Sequence, residues 1–303
     1  MNRLIAICLK ITLISISILI LKTNAVSSQS KEPERVTPVV SAEWLKENIS
    51  KPGVIILHVT PARLDYDNGH IPGARFLWPG SIIISTENES TLPAPAAGVT
   101  KKLRELGVNN DSHIILCGIY GNLIQVCRVF VNLEHYGLRG KVSILNGGYE
   151  SWLKSGYESS KTAPAVAKGK FSFTPYENLV GGEFVKANLK NTAYTIIDVR
   201  PKAQYDGTTG TPRAGHISGA QNLPQMDMYD SKSFLFNDAG QIKSAFEKVS
   251  IPSGSTPIVY CHTGNSASVL YVAAIIAGYE PVLYDGSMEE WGSHLDWPME
   301  KQE

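Results

Sequence analysis

From about residue 37 onward the chain is a succession of short apolar runs separated by amphipathic stretches. The runs 54–58, 113–117, 142–145, 194–198, 257–261 and 281–284 are rich in Val, Ile, Leu and Tyr. Runs of this length with little polar alternation predict strands buried on both faces of a sheet. Between them, 41–48, 97–106, 122–136, 182–189, 240–248 and 266–277 carry the apolar spacing of helices. Short strands alternating with helices predict an α/β doubly wound fold, a mostly parallel sheet flanked by helices on both faces.

The pattern occurs twice, with an offset near 140 residues (Asp198 against His58). Ser41-Ala-Glu-Trp-Leu-Lys-Glu-Asn48 returns as Gly181-Gly-Glu-Phe-Val-Lys-Ala-Asn188, and Val54–Thr60 returns as Tyr194–Arg200. Gly69-His-Ile-Pro-Gly-Ala74 returns as Gly215-His-Ile-Ser-Gly-Ala220, and His113–Cys117 returns as Pro257–Cys261. Leu145-Asn-Gly-Gly148 with Trp152 answers Leu283-Tyr-Asp-Gly286 with Trp291. Matches in the same order predict two related domains, 37–158 and 176–303, joined by a linker over 159–175 that is rich in Ser, Ala, Lys and Gly.

Composition narrows the function. At 303 residues the chain is long enough for two domains, each with its own core. Its 28 basic and 28 acidic residues cancel, which removes the electrostatic case for nucleic acid or an anionic membrane as the main partner. The start of the chain differs in kind. Arg3, the apolar run from Ile11 to Leu21 and Thr23-Asn24-Ala25 have the layout of a secretory signal peptide. They predict export, to a periplasm, with cleavage after Ala25. Lys10 shortens the apolar run, so a membrane anchor is expected only if this segment stays uncleaved. Residues 26–36 read as a polar lead-in. Cleavage would leave Cys117, Cys127 and Cys261, an odd number, so at least one thiol is expected unpaired. A Cys117–Cys127 disulfide stays open.

Thr256-Pro-Ile-Val-Tyr-Cys261-His-Thr-Gly-Asn-Ser-Ala267 carries the best candidate chemistry. A buried strand ends at Cys261, a polar loop follows, and a helix opens near Ser266. Ligands of doubly wound sheets bind at this end of the strands. Loop amides and the positive end of the helix dipole favour an anion there, so Cys261 is expected to react as a thiolate.

Asp198-Val-Arg200, Gly215-His-Ile-Ser-Gly-Ala220, Cys261-x-x-Gly264 and Tyr284-Asp-Gly-Ser-x-x-Glu-Trp291 together resemble, in order, the signatures of the rhodanese sulfurtransferases. The resemblance covers residues about 37–300 and is to tandem-domain members, thiosulfate and 3-mercaptopyruvate sulfurtransferases, in which the second domain alone is active. It implies that Cys261 takes the outer sulfur of a donor such as thiosulfate as a persulfide. Cyanide or a thiol then accepts that sulfur, with no metal or organic cofactor required. The loop amides of His262, Thr263, Gly264, Asn265, Ser266 and Ala267 would hold the anionic sulfur. Arg200 is expected either at the substrate or in an ion pair with Asp198. Arg213 resembles the family's substrate-carboxylate contact, while Asp206 stands where mercaptopyruvate enzymes have a second arginine. The loop has neither their Gly-Ser-Gly pattern nor the Arg-Lys pair of some thiosulfate enzymes, and thiosulfate is the preferred reading.

The first unit lacks these features. His58 and Thr60 stand in place of Asp198 and Arg200. Cys117 aligns with Cys261 but precedes an apolar loop one residue longer, so it is expected to be a remnant, with Cys127 a core residue. This domain is expected to pack on the second and wall its cleft. A cysteine phosphatase would need a loop arginine to clamp phosphate, and residues 261–267 contain none. A persulfide carrier without turnover remains the other alternative.

Overall fold

The computed structural model describes residues 35–86, 89–119, 121–209 and 213–302. The signal-peptide reading of residues 1–25, and the lead-in up to residue 34, lie outside the described residues. The first five-stranded sheet contains β1 (Val39–Val40), β2 (Val54–Val59), β3 (Arg75–Leu77), β4 (His113–Cys117) and β5 (Val142–Leu145). Their order is β1-β5-β4-β2-β3, parallel throughout. The second sheet contains β6 (Leu179–Val180), β7 (Tyr194–Asp198), β8 (Gln221–Asn222), β9 (Thr256–Tyr260) and β10 (Val282–Tyr284). It repeats the order as β6-β10-β9-β7-β8, again parallel. The expected apolar runs are the six inner strands, β2, β4, β5, β7, β9 and β10. The edge strands of two or three residues were too short to leave a pattern.

One apolar core runs through both halves. It joins a face of each sheet to the helices Leu123–Leu133 and Ala267–Ala277, and a separate cluster covers the outer face of each sheet. The helix Ala267–Ala277 is buried at every position from Ala267 to Ile275. It is apolar all round because its own sheet lies on one side and the helix Leu123–Leu133 on the other. The helical pattern of 122–136 is borne out: the α-helix Leu123–Leu133 passes into a π-helical turn at Glu134–Leu138 that breaks only at Gly137. The chain turns at Gly137, whose φ of 106° favours glycine and whose Cβ, if present, would lie 2.5 Å from Thr174 O.

Segment 159–175 has no helix or strand, but it is no free tether. Gly169 N–H donates to Arg104 O at 2.8 Å, Phe171 N–H to Val108 O at 3.1 Å and Ser172 N–H to Asn110 Oδ1 at 2.7 Å. Phe171 is fully buried in the common core.

The duplicated Gly-His-Ile turn has a structural explanation in both halves. His70 stacks on Tyr66 at 3.8 Å between centroids and its Nδ1 meets Tyr66 O, while Tyr66 Oη donates to Ala74 O. His216 stacks on Tyr205 at 3.7 Å and its Nδ1 meets Tyr205 O, while Tyr205 Oη donates to Ala220 O. A turn that pins its own strand end persists whatever happens to the chemistry.

Candidate active site

Strand pairing corrects the alignment of the two cysteines. Val54 pairs with His113 and His58 with Cys117; Tyr194 pairs with Thr256 and Asp198 with Tyr260. Cys117 is therefore the counterpart of Tyr260, and Gly118 is the counterpart of Cys261. Gly121 and Gly264, each three residues further on, both have φ of 79°. The loops have equal length, not one residue of difference. The turn after the last sheet strand shifts likewise: Asn146 N–H donates to Val40 O and Asp285 N–H to Val180 O, so Asn146 answers Asp285. Cys117 is not a remnant nucleophile. It is a core thiol whose pKa burial drives far up, as it does for Cys127, and the three described cysteines are all unpaired.

Cys261 follows β9 directly and is 1% exposed. Its N–H donates to Ser287 Oγ at 3.1 Å, and that hydroxyl donates onward to Tyr284 O at 2.9 Å. Ser287 adopts φ of 50°, where a non-glycine residue is strained; its counterpart in the first half is Gly148 at φ 60°. The strained serine thus braces the backbone at the nucleophile.

The loop's polar backbone groups divide cleanly. Every carbonyl from Cys261 to Ser266 is bonded: Cys261 O to Met288 N–H, His262 O to Glu289 N–H, Asn265 O to Ser268 N–H and Ser266 O to Val269 N–H. Thr263 O accepts from Thr91 Oγ1 at 2.5 Å, and Gly264 O accepts from Arg128 Nη1 at 3.3 Å and Ser268 Oγ at 3.4 Å. None of the N–H groups from His262 to Ala267 finds an acceptor among the described residues. A run of amides left over beside a cysteine, leading into a helix N-terminus, can receive an anion.

Beside the loop lies a cleft lined by Arg200, Gln204, Thr209, Arg213, Ala214, His262 and Met288. Arg200 is nearly buried and gives Nε and Nη2 to Asp198, with Nη2 also on Gly215 O at 2.7 Å. Burial pulls its pKa down, but the hydrogen bonds and charge of Asp198 outweigh that and raise it. Of the two roles expected of Arg200, its contacts match the ion pair. Arg213 lines the cleft, and three of its five N–H donors, from Nη1 and Nη2, go to the backbone carbonyls of Trp291, His294 and Trp297. These bonds tie down the C-terminal turn, and the Nε–H and second Nη2–H are not used in them. Asp206 is bonded to Lys202 Nζ at 2.7 Å. His262 is exposed, Thr263, Asn265 and Ser266 are half-buried, and Gly264 and Ala267 are buried.

The first half contributes differently from expectation. The described residues lining the cleft all belong to the second half, whereas Thr91 and Arg128 bond carbonyls of the loop itself and Ser90 bonds Glu289. Sequence reasoning passed over Arg128. Its signal was a single charge inside the apolar helix Leu123–Leu133, since a cation at a buried position needs partners. Ser287 lay within a quoted motif without a role.

A rhodanese-like domain description matches residues 41–155 and 183–294. The chain is 32% identical to the 3-mercaptopyruvate sulfurtransferase of Escherichia coli strain K12, over 86% of this chain and 97% of that one. It is 28% identical to the thiosulfate sulfurtransferase of Bos taurus, over 84% and 91%. It is also 28% identical to a sulfur carrier protein of Thermus thermophilus, over 88% and 97%. A crystal structure of the Escherichia coli 3-mercaptopyruvate enzyme superposes with a TM-score of 0.71 at 29% identity, covering 83% of this chain and 99% of that one. Two parallel sheets of identical order, each matched separately, place this chain in the rhodanese family of sulfurtransferases.

Proposed function

We propose that the protein moves the outer sulfur of thiosulfate to cyanide or a thiol through a persulfide on Cys261. The observation that carries this reading is the run of unpaired amides from His262 to Ala267 directly after the cysteine. The Cys261 thiolate attacks the sulfane sulfur, the donor's S–S bond breaks, and sulfite leaves with the electron pair. The persulfide anion then carries its charge on the outer sulfur, where N–H donors stabilise it without any side-chain cation. Cyanide attacks that outer sulfur, forming thiocyanate and returning the thiolate.

A second donor is favoured by a specific observation, the 32% identity to a 3-mercaptopyruvate sulfurtransferase. In that case the donor's C–S bond breaks and pyruvate is released after protonation. Asp206, standing where mercaptopyruvate enzymes have a second arginine, speaks against a carboxylate-bearing donor. Parallel assays of sulfite and pyruvate release, with cyanide as acceptor, decide between the two. Sulfite should form faster, and Cys261→Ser should abolish both. Turnover that survives Cys261→Ser would sink the reading, and a persulfide formed without turnover would make the protein a carrier.

Export belongs to the same proposal. Arg3, the apolar run from Ile11 to Leu21 and Thr23-Asn24-Ala25 support a signal peptide removed before residue 26, with action in a periplasm. N-terminal sequencing of the mature protein tests it.

A further inference from the structure

The first half carries no nucleophile, yet it holds two of the cysteine loop's carbonyls. Thr91 Oγ1 donates to Thr263 O and Arg128 Nη1 donates to Gly264 O. In a planar trans peptide the C=O of one residue and the N–H of the next point in opposite directions. A donor fixed on Thr263 O therefore fixes the Gly264 N–H, and a donor fixed on Gly264 O fixes the Asn265 N–H. Both amides belong to the unpaired run, and both are turned to the side of the loop away from the first half.

Arg128 is an unusual choice for a purely structural contact. It is fully buried, its Nε has no partner, and its Nη2 meets Asp285 Oδ1 at 2.5 Å. Burying a guanidinium with an unsatisfied donor is unfavourable compared with an apolar side chain of the same size. The equivalent position in the other half, seven residues past the left-handed glycine (Gly121 to Arg128, Gly264 to Tyr271), is a tyrosine. Tyr271 donates to Glu134 Oε2 at 2.9 Å and makes no hydrogen bond to either cysteine loop among the described residues. The charge thus sits only where it reaches the loop that follows Cys261. Gly264 leaves no slack there, because a Cβ on it would lie 2.5 Å from Asp285 O.

We propose that Arg128 and Thr91 are positioning residues, through which the first half orients the Gly264 and Asn265 N–H groups for anionic sulfur on Cys261. The inference rests on Cys261 as the sulfur-accepting nucleophile, and the active loop is then incomplete without the first half.

The test compares Arg128→Met, Arg128→Met with Asp285→Asn, and Thr91→Val in the full chain. The rate of Cys261 alkylation by iodoacetamide at neutral pH, read by mass spectrometry, needs no sulfur donor. A wrong donor assignment would therefore leave this readout intact. Thiosulfate–cyanide kinetics supply kcat and KM. The double variant should alkylate Cys261 about tenfold more slowly and lose kcat to a similar extent, with KM within about twofold. Thr91→Val should show a smaller loss of the same kind, about threefold. If Arg128 only neutralises Asp285, the double variant recovers the wild-type alkylation rate and the proposal falls. Should the Arg128 variants fail to fold, a wild-type rate in Thr91→Val overturns it alone.

Discussion

The loop after β4 and the loop after β9 share a length, a left-handed glycine and an asparagine next to it, yet one is closed and the other open. In the first half Asn122 Oδ1 accepts the Ile119 N–H at 3.0 Å and Asn122 Nδ2 donates to Val59 O at 2.8 Å. A Cβ added to Gly118 would collide with that same Asn122 Oδ1. The asparagine has taken both the amide and the space that a cysteine would use. In the second half Asn265 makes no side-chain hydrogen bond to a described residue, and the carbonyls are held from outside. A run of amides is thus left over because the carbonyls are satisfied elsewhere. The strand ends differ in the same sense. Asp198 and Arg200 form a buried ion pair beside Cys261, whereas His58 is fully buried with both ring nitrogens unpartnered.

The comparison is broken most directly by moving the nucleophile. Gly118→Cys combined with Cys261→Ser should give no turnover and no persulfide at residue 118 by mass spectrometry. Turnover there would show that the closed loop can open. Asp198→Ala leaves the Arg200 guanidinium buried without its carboxylate and should destabilise the protein by about 3–5 kcal/mol, read as the shift in urea midpoint. The corresponding change in the first half acts through pH. Burial, with His70's charge adding, holds the His58 imidazole down at about 4 against an ordinary 6.5. The unfolded chain takes up that proton first as pH falls. His58's contribution is therefore intact above pH 6.5 and declines by about 3 kcal/mol as pH approaches 4. His58→Phe should flatten that part of the stability–pH curve; an unchanged slope would remove His58 from the account. Asn122→Ala should be the mildest change, costing about 1–2 kcal/mol for two lost hydrogen bonds and leaving turnover at Cys261 intact.

Much of this was legible beforehand. The long strands and helices follow from apolar runs and their spacing, because each half must bury both faces of its sheet. Cys261 and its polar loop stood out because a nucleophile at a strand end before a helix has one evident use. Ser287 was visible as part of a motif but not as a brace, since its value lies in a strained φ that no residue type announces. Arg213 and Cys117 each have surroundings that the sequence did not announce, for different reasons. Arg213 found backbone carbonyls at Trp291, His294 and Trp297 that sequence spacing does not bring to mind. Cys117 was aligned by residue type, while the strands are aligned by hydrogen bonds.

By itself the sequence determined that two related α/β units follow one another and that one of them carries a strand-end cysteine in a polar loop. Those properties are local, set by side-chain period, turn chemistry and the duplication. The tertiary structure decided the rest. A shift of one residue in register turns a side chain to the other face of a sheet, which is what separates Cys117 from Cys261. Only packing of the two halves brings Thr91 and Arg128 onto Thr263 and Gly264, across 172 and 136 residues of chain. Which amides remain free is fixed by where distant donors meet the carbonyls, and that is a property of the folded molecule.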